Sequence, residues 1–162
     1  MYVTSETLPD HSRIWIYQCS RELTNDELVS IGALTKQFLE GWTAHNQVLK
    51  AGYEIRYSRF LILMIDEKTA GASGCSIDKS VHFMQSLEKK YGVTFMDRMK
   101  FAYKDDGRVE VISRNEFNDL YSKGRLNGNT TVFNNLITTK QELNANWEVA
   151  LKESWHKELL GA

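Results

Sequence analysis

The chain has 162 residues and a formal net charge of −1, with 25% of its residues charged. That length suits one domain over residues 1–162 with a core of its own, and the near-neutral balance supplies no basic field for a nucleic-acid partner. Two cysteines, Cys19 and Cys75, are too few for a disulfide framework or a cysteine-based zinc site. Residues 1–12 lack an apolar leader region and no run is long enough to span a bilayer, so a cytoplasmic location with no membrane partner is expected.

Arg13-Ile14-Trp15-Ile16-Tyr17-Gln18-Cys19 is rich in β-formers and predicts a first strand near the sheet centre. Thr24-Asn25-Asp26-Glu27 is a capping box, with Leu28, Ile31, Leu34 (or Thr35), Phe38 and Trp42 following at helical spacing to about Ala44. His45 then sits at the expected end of that helix, where an imidazolium suits the dipole. Tyr53, Ile55 and Tyr57 alternate with Glu54 and Arg56, the pattern of a half-exposed strand. After Arg59, the continuous apolar run Phe60-Leu61-Ile62-Leu63-Met64-Ile65 reads as a strand buried on both faces. Ile77, Val81, Met84, Leu87 and Tyr91 predict a second helix from Ser76 that stops at Gly92.

Residues 99–104 and 108–112 alternate about Asp105-Asp106-Gly107, the clearest hairpin signal in the chain. Ser113-Arg114-Asn115-Glu116 caps a short helix ending at Gly124. Thr131-Val132-Phe133 predicts a short strand, and Asn134-Asn135 a turn. Thr139-Lys140-Gln141-Glu142 is a third capping box, and Leu143, Trp147, Leu151, Trp155 and Leu159 follow at spacings of four, predicting a long C-terminal helix. The order predicts an α+β fold: a mainly antiparallel sheet with helices packed on it, a ferredoxin-like βαββαβ start, a C-terminal hairpin extension and the long helix. The Leu and Trp stripe of that helix would face either the sheet or a second copy of the chain, as a homodimer.

The stretch Gly71-Ala72-Ser73-Gly74-Cys75-Ser76-Ile77-Asp78 joins the apolar strand to the second helix. Gly71 and Gly74 permit backbone angles closed to other residues, Ser76 fits an N-cap and Asp78 falls in the first turn. Cys75 therefore stands beside a helix N-terminus, where free N–H groups and the dipole stabilise a thiolate or an external anion. Small residues here also serve plain close packing, and a lone cysteine serves as a small buried hydrophobe. The four histidines, His11, His45, His82 and His156, show no zinc spacing. No G-x-x-x-x-G-K-[ST] loop is present, so neither a metal nor a cofactor is expected.

With Gly71–Asp78, Asp97-Arg98 and Thr131-Val132-Phe133-Asn134-Asn135, the chain resembles a family of small, uncharacterised bacterial proteins that often carry the label "ABC transporter ATPase". The likeness covers nearly the full length and includes Trp42, His45 and Arg59-Phe60. It implies no catalytic residue, because that family has no established activity. Asp66-Glu67 after an apolar strand looks like part of the magnesium-binding chemistry that such a label implies. The phosphate loop is missing, since Lys79 falls one turn into the helix.

The reading that joins these features is a small-ligand or partner-binding domain with its site at Ser73–Asp78, taking a polar or anionic ligand. Ser73, Gly74, Ser76 and Asp78 would line it, Asp66, Arg59 and Arg98 would set its charge, and Asn134 would come from the polar loop downstream. An enzyme with Cys75 as nucleophile or redox thiol is the second expectation. A structural or interaction protein dimerising through the C-terminal helix is the third.

Overall fold

The computed structural model describes residues 1–68 and 70–160. Its chain divides into two compact units, Met1–Met96 with Thr138–Gln141, and Asp97–Ile137 with Glu142–Ala162. The fold is α+β, and every strand pair within its sheets is antiparallel. Among the described residues, no helix is long and apolar enough to cross a membrane.

In the first unit, β1 (Arg13–Gln18) is followed by α1 (Asn25–Glu40), a small hairpin of β2 (Thr43–Ala44) and β3 (Gln47–Val48), β4 (Lys50–Arg56), β5 (Phe60–Asp66) and α2 (Gly74–Tyr91). The main sheet runs β1-β5-β4. As the unbroken apolar run requires, every residue of β5 is buried. Leu61, Leu63 and Ile65 share a core with Ile31 and Leu39 of α1 and Met84 and Leu87 of α2. The first, third and second main strands lie in the order of a split βαβ unit. The ferredoxin-like start is nevertheless incomplete, because the strand after α2 joins another sheet. The margin of β1 instead carries Thr138 and Thr139, through Ile14 N–H donating to Thr138 C=O (2.9 Å) and a bridge between Arg13 and Thr139.

α1 ends at Glu40, four residues short of the expected Ala44, and His45 lies in the β2–β3 turn rather than at a helix end. His45 and Asn46 both take positive φ there (50° and 62°), as Tyr57 and Ser58 do between β4 and β5 (55° and 54°). These are the angles that tight hairpins favour, reached here without glycine.

The second unit contains β6 (Lys100–Asp105), β7 (Arg108–Ser113), α3 (Arg114–Ser122), β8 (Thr131–Phe133) and β9 (Glu148–Ala150), with strand order β7-β6-β8-β9. The Asp106-Gly107 hairpin forms as its chemistry demands, with positive φ at both residues and Asp105 opposite Arg108. Phe101, Tyr103, Phe117, Leu126, Val132 and Leu151 form its core.

The long C-terminal helix does not form. Helix α4 spans only Lys140–Asn146, and the chain continues as β9 and two 3-10 turns, Leu151–Glu153 and Trp155–Leu159. A strict spacing of four drifts around a 3.6-residue helix, so the five apolar positions describe a spiral rather than one face. Residues 148–150 gain more as a ladder against β8, with Phe133 opposite Glu148. Trp147 is buried within this turn, its indole N–H donating to Asn135 Oδ1 at 2.9 Å. The helical Leu–Trp stripe that would have faced a second copy is therefore absent.

Candidate functional site

The turn into α2 is built by a reciprocal cap one turn earlier than expected. Ser73, not Ser76, is the N-cap: its Oγ accepts the N–H of Ser76 at 3.1 Å, and the Ser73 N–H donates to Ser76 Oγ at 2.7 Å. Serine at the third helical position thus does the work usually given to Glu or Gln. Ser76 is wholly buried and its hydroxyl also donates to Ser73 C=O at 2.8 Å, so it is closed to a ligand. With the helix beginning at Gly74, Asp78 moves into the second turn, where it is exposed. Neither Gly71 nor Gly74 takes positive φ. Nor is bulk excluded there: a Cβ at Gly74 would meet nothing within 4 Å, and one at Gly71 would come no closer than 3.5 Å, to Glu67 Oε1.

The cap is anchored from below by Trp42, whose buried indole N–H donates to Ser76 C=O at 2.8 Å. Trp42 in turn packs against Trp15 and Phe38, with ring centroids 5.8 and 5.3 Å away. Capping consumes the N–H groups of Ser73 and Ser76. Among the described residues, the N–H groups of Gly74 and Cys75 have no protein acceptor, and both residues are exposed. These two N–H groups stand at the positive end of an 18-residue helix dipole.

The end of β5 adds charge beside this turn. Asp66 is only 7% exposed. Its Oδ1 accepts the Lys68 N–H at 3.0 Å and lies 3.4 Å from His11 Nε2, while Lys50 Nζ stands 4.0 Å from Oδ2. Glu67 Oε1 accepts the Ala72 N–H at 3.2 Å and lies 3.7 Å from Arg13 Nη1, so one carboxylate ties the helix entry to the edge of β1. Arg13 also stacks over Trp15, 4.8 Å from the ring centroid.

Comparison with family models, curated proteins and solved structures finds none that matches this chain.

Of the residues singled out from sequence, Ser73, Gly74, Cys75 and Asp66 fall along one strand-end and helix-start segment. Arg59 does not join them. It precedes β5 while Asp66 ends it, so about 20 Å of strand separates them. Arg59 Nη2 instead donates to Ser20 C=O at 3.0 Å. Arg98 and Asn134 belong to the second unit. There the Asn134 N–H donates to Trp147 C=O at 2.7 Å, and its Oδ1 accepts from Leu136 N–H at 3.2 Å.

His11, Arg13, Lys50, Glu67 and Trp42 were not assigned to the site from sequence. The register carries the missing information: Arg13 lies opposite Ile65 and Lys50 opposite Asp66, which brings both flanking strands to the carboxylate. Among the described residues, no group of three His, Cys, Asp or Glu side chains is arranged to hold a metal.

Proposed function

We propose that this chain is a small-ligand-binding α+β protein whose site is the Ser73–Cys75 turn at the start of α2, taking a compact anionic or polar group. What carries the reading is the pair of N–H groups on Gly74 and Cys75, unused by the cap and open to solvent. The Trp42 anchor and the Ser73–Ser76 cap hold that pair fixed, so little ordering is needed on binding. Arg13 balances Glu67, whose carboxylate is bonded to the turn. Asp66 acts from the neighbouring strand end by holding His11 and Lys50.

Titration of the full chain with inorganic phosphate, followed by ¹⁵N–¹H spectra, tests this. Saturable shifts at the Gly74 and Cys75 amides support it. Shifts that stay linear, or that spread evenly over surface lysines, overturn it.

A second reading, an enzyme with Cys75 as nucleophile or redox thiol, is favoured by one fact: Cys75 is exposed at the second position of the helix. Alkylation by iodoacetamide faster than that of an unstructured peptide thiol at the same pH supports it. An equal or slower rate removes it.

A further inference from the structure

Asn127 is the one asparagine in the chain that a glycine follows; every other is followed by a residue with a side chain. We propose that Asn127 is a self-modification site in the folded protein, where the Gly128 nitrogen displaces the Asn127 side-chain amide and so releases the segment that follows β9.

Asn127 opens a tight turn in the second unit. Its C=O accepts the Thr130 N–H at 3.0 Å, its N–H donates to Thr130 Oγ1 at 2.9 Å, and its Oδ1 accepts the Asn129 N–H at 2.8 Å. An oxygen bonded two residues on curls the side-chain amide back over the peptide link to Gly128. Charge that builds on Oδ1 during attack falls on the Asn129 N–H already bonded to it. Gly128 is needed for space, because a Cβ there would stand 3.3 Å from Lys152 Cβ. The same lack of a side chain leaves its nitrogen unshielded. Among the described residues, the Gly128 N–H donates to no acceptor. Asn127 is exposed, so water enters and ammonia leaves.

The step balances with water as the co-reactant. The Gly128 nitrogen gives its proton to solvent and bonds to Asn127 Cγ. The Cγ–Nδ2 bond breaks, and Nδ2 takes up a proton and departs as ammonia, leaving a cyclic imide. Water then opens either carbonyl of that ring. One opening gives aspartate, which keeps an oxygen for the Asn129 N–H. The other gives isoaspartate, whose main chain runs through Cγ and is one carbon longer. That extra carbon displaces the Gly128 and Thr130 carbonyls, which accept from the N–H groups of Lys152 at 3.0 Å and Leu151 at 2.9 Å.

The test is incubation of the full native chain in mildly alkaline buffer, with peptide mass mapping at intervals. The mass gain of an amide becoming an acid is expected first at Asn127. Asp106-Gly107 has an equally small neighbour, but ring closure and reopening there leave the mass unchanged, so the gain reports an amide. Two products are expected, one co-eluting with the peptide from an Asn127→Asp variant. Hydrogen exchange at Leu151 and Lys152 should be about tenfold faster in the isoaspartate form. It should be unchanged in Asn127→Asp. An earlier gain at another asparagine overturns the proposal. So does a native chain that stays unmodified while the urea-unfolded chain converts, or an isoaspartate form with native exchange at Leu151 and Lys152.

Discussion

Ser154 Oγ and His156 Nδ1 lie 2.6 Å apart inside the second unit. The same hydroxyl accepts the His156 backbone N–H at 3.3 Å. His156 is 1% exposed, its ring stacked on Trp155 at 4.1 Å, met edge-on by Phe101 and lying tilted against Phe117. Burial among aromatic rings pushes the His156 pKa down from 6.5 to about 4.

This places a pH dependence on folding. The folded pKa is below the unfolded one, so the unfolded chain takes the proton first. The contribution is intact above about pH 6.5 and is lost as the pH falls toward about 4, to a total of about 3 kcal/mol. Urea midpoints between pH 4.5 and 7.5 should therefore fall with acid. His156→Phe, which fits an aromatic cage, should flatten the slope; an unchanged slope assigns the effect elsewhere.

Arg21 and Thr24 act together on Glu27. Arg21 meets both Glu27 oxygens at 2.7 Å, and the Thr24 N–H donates to the same carboxylate at 3.0 Å, which holds its pKa down at about 2. That contribution is present above the ordinary carboxylate value and fades as the pH falls toward 2. Thr24→Ala should cost about 1 kcal/mol at neutral pH through loss of the cap, while Thr24→Ser should restore it. Glu27→Gln keeps a capping partner, so it should remove the acid dependence with a smaller loss at pH 7. Denaturation of the three variants at pH 3 and pH 7 separates the two effects.

These two places differ in how far the sequence exposes them. Thr24–Glu27 is local chemistry, and the same holds for the β5 run and the Asp106-Gly107 turn: each needs only its own residues. The Ser73–Ser76 cap is equally local but hidden, because serine replaces the usual acid at the third helical position. The C-terminal stripe misleads because pairing of residues 148–150 with β8 outweighs helical spacing. The His11–Asp66 contact and the separation of Arg59 from Asp66 depend on strand register, which one sequence does not display. Nor does any change of composition near residue 97 announce the second unit.

The two thiols should behave oppositely. Cys19 is fully buried, and burial pushes its pKa up, which lowers its thiolate fraction further. Cys75 is exposed. Native protein at pH 7.5 should take up one alkyl group, at Cys75 by mass mapping, and a second only in denaturant. Two groups in the native state would show that the core around Cys19 opens on the labelling timescale.

Gly52 and Gly74 provide a matched pair of glycine tests. Gly52 lies under the N-terminal segment, where Val3 N–H donates to Ala51 C=O at 2.8 Å, Ala51 N–H donates to Met1 C=O at 3.0 Å, and the terminal ammonium donates to Leu49 C=O at 2.7 Å. A Cβ at residue 52 would stand 2.8 Å from Val3 O and 3.0 Å from Leu8 Cδ1. The oxygen is backbone and is held by this pairing, so Gly52→Ala should cost about 1–3 kcal/mol and speed hydrogen exchange at Val3 and Ala51. At Gly74 a Cβ meets nothing within 4 Å and φ is not positive. Gly74→Ala should therefore be neutral or stabilise by up to about 1 kcal/mol, by restricting the unfolded chain. It also leaves the N–H of residue 74 in place, so phosphate shifts at the turn should survive it. A loss of stability at Gly74→Ala as large as at Gly52→Ala would mean that the helix entry is packed more tightly than an exposed, ligand-accessible turn allows.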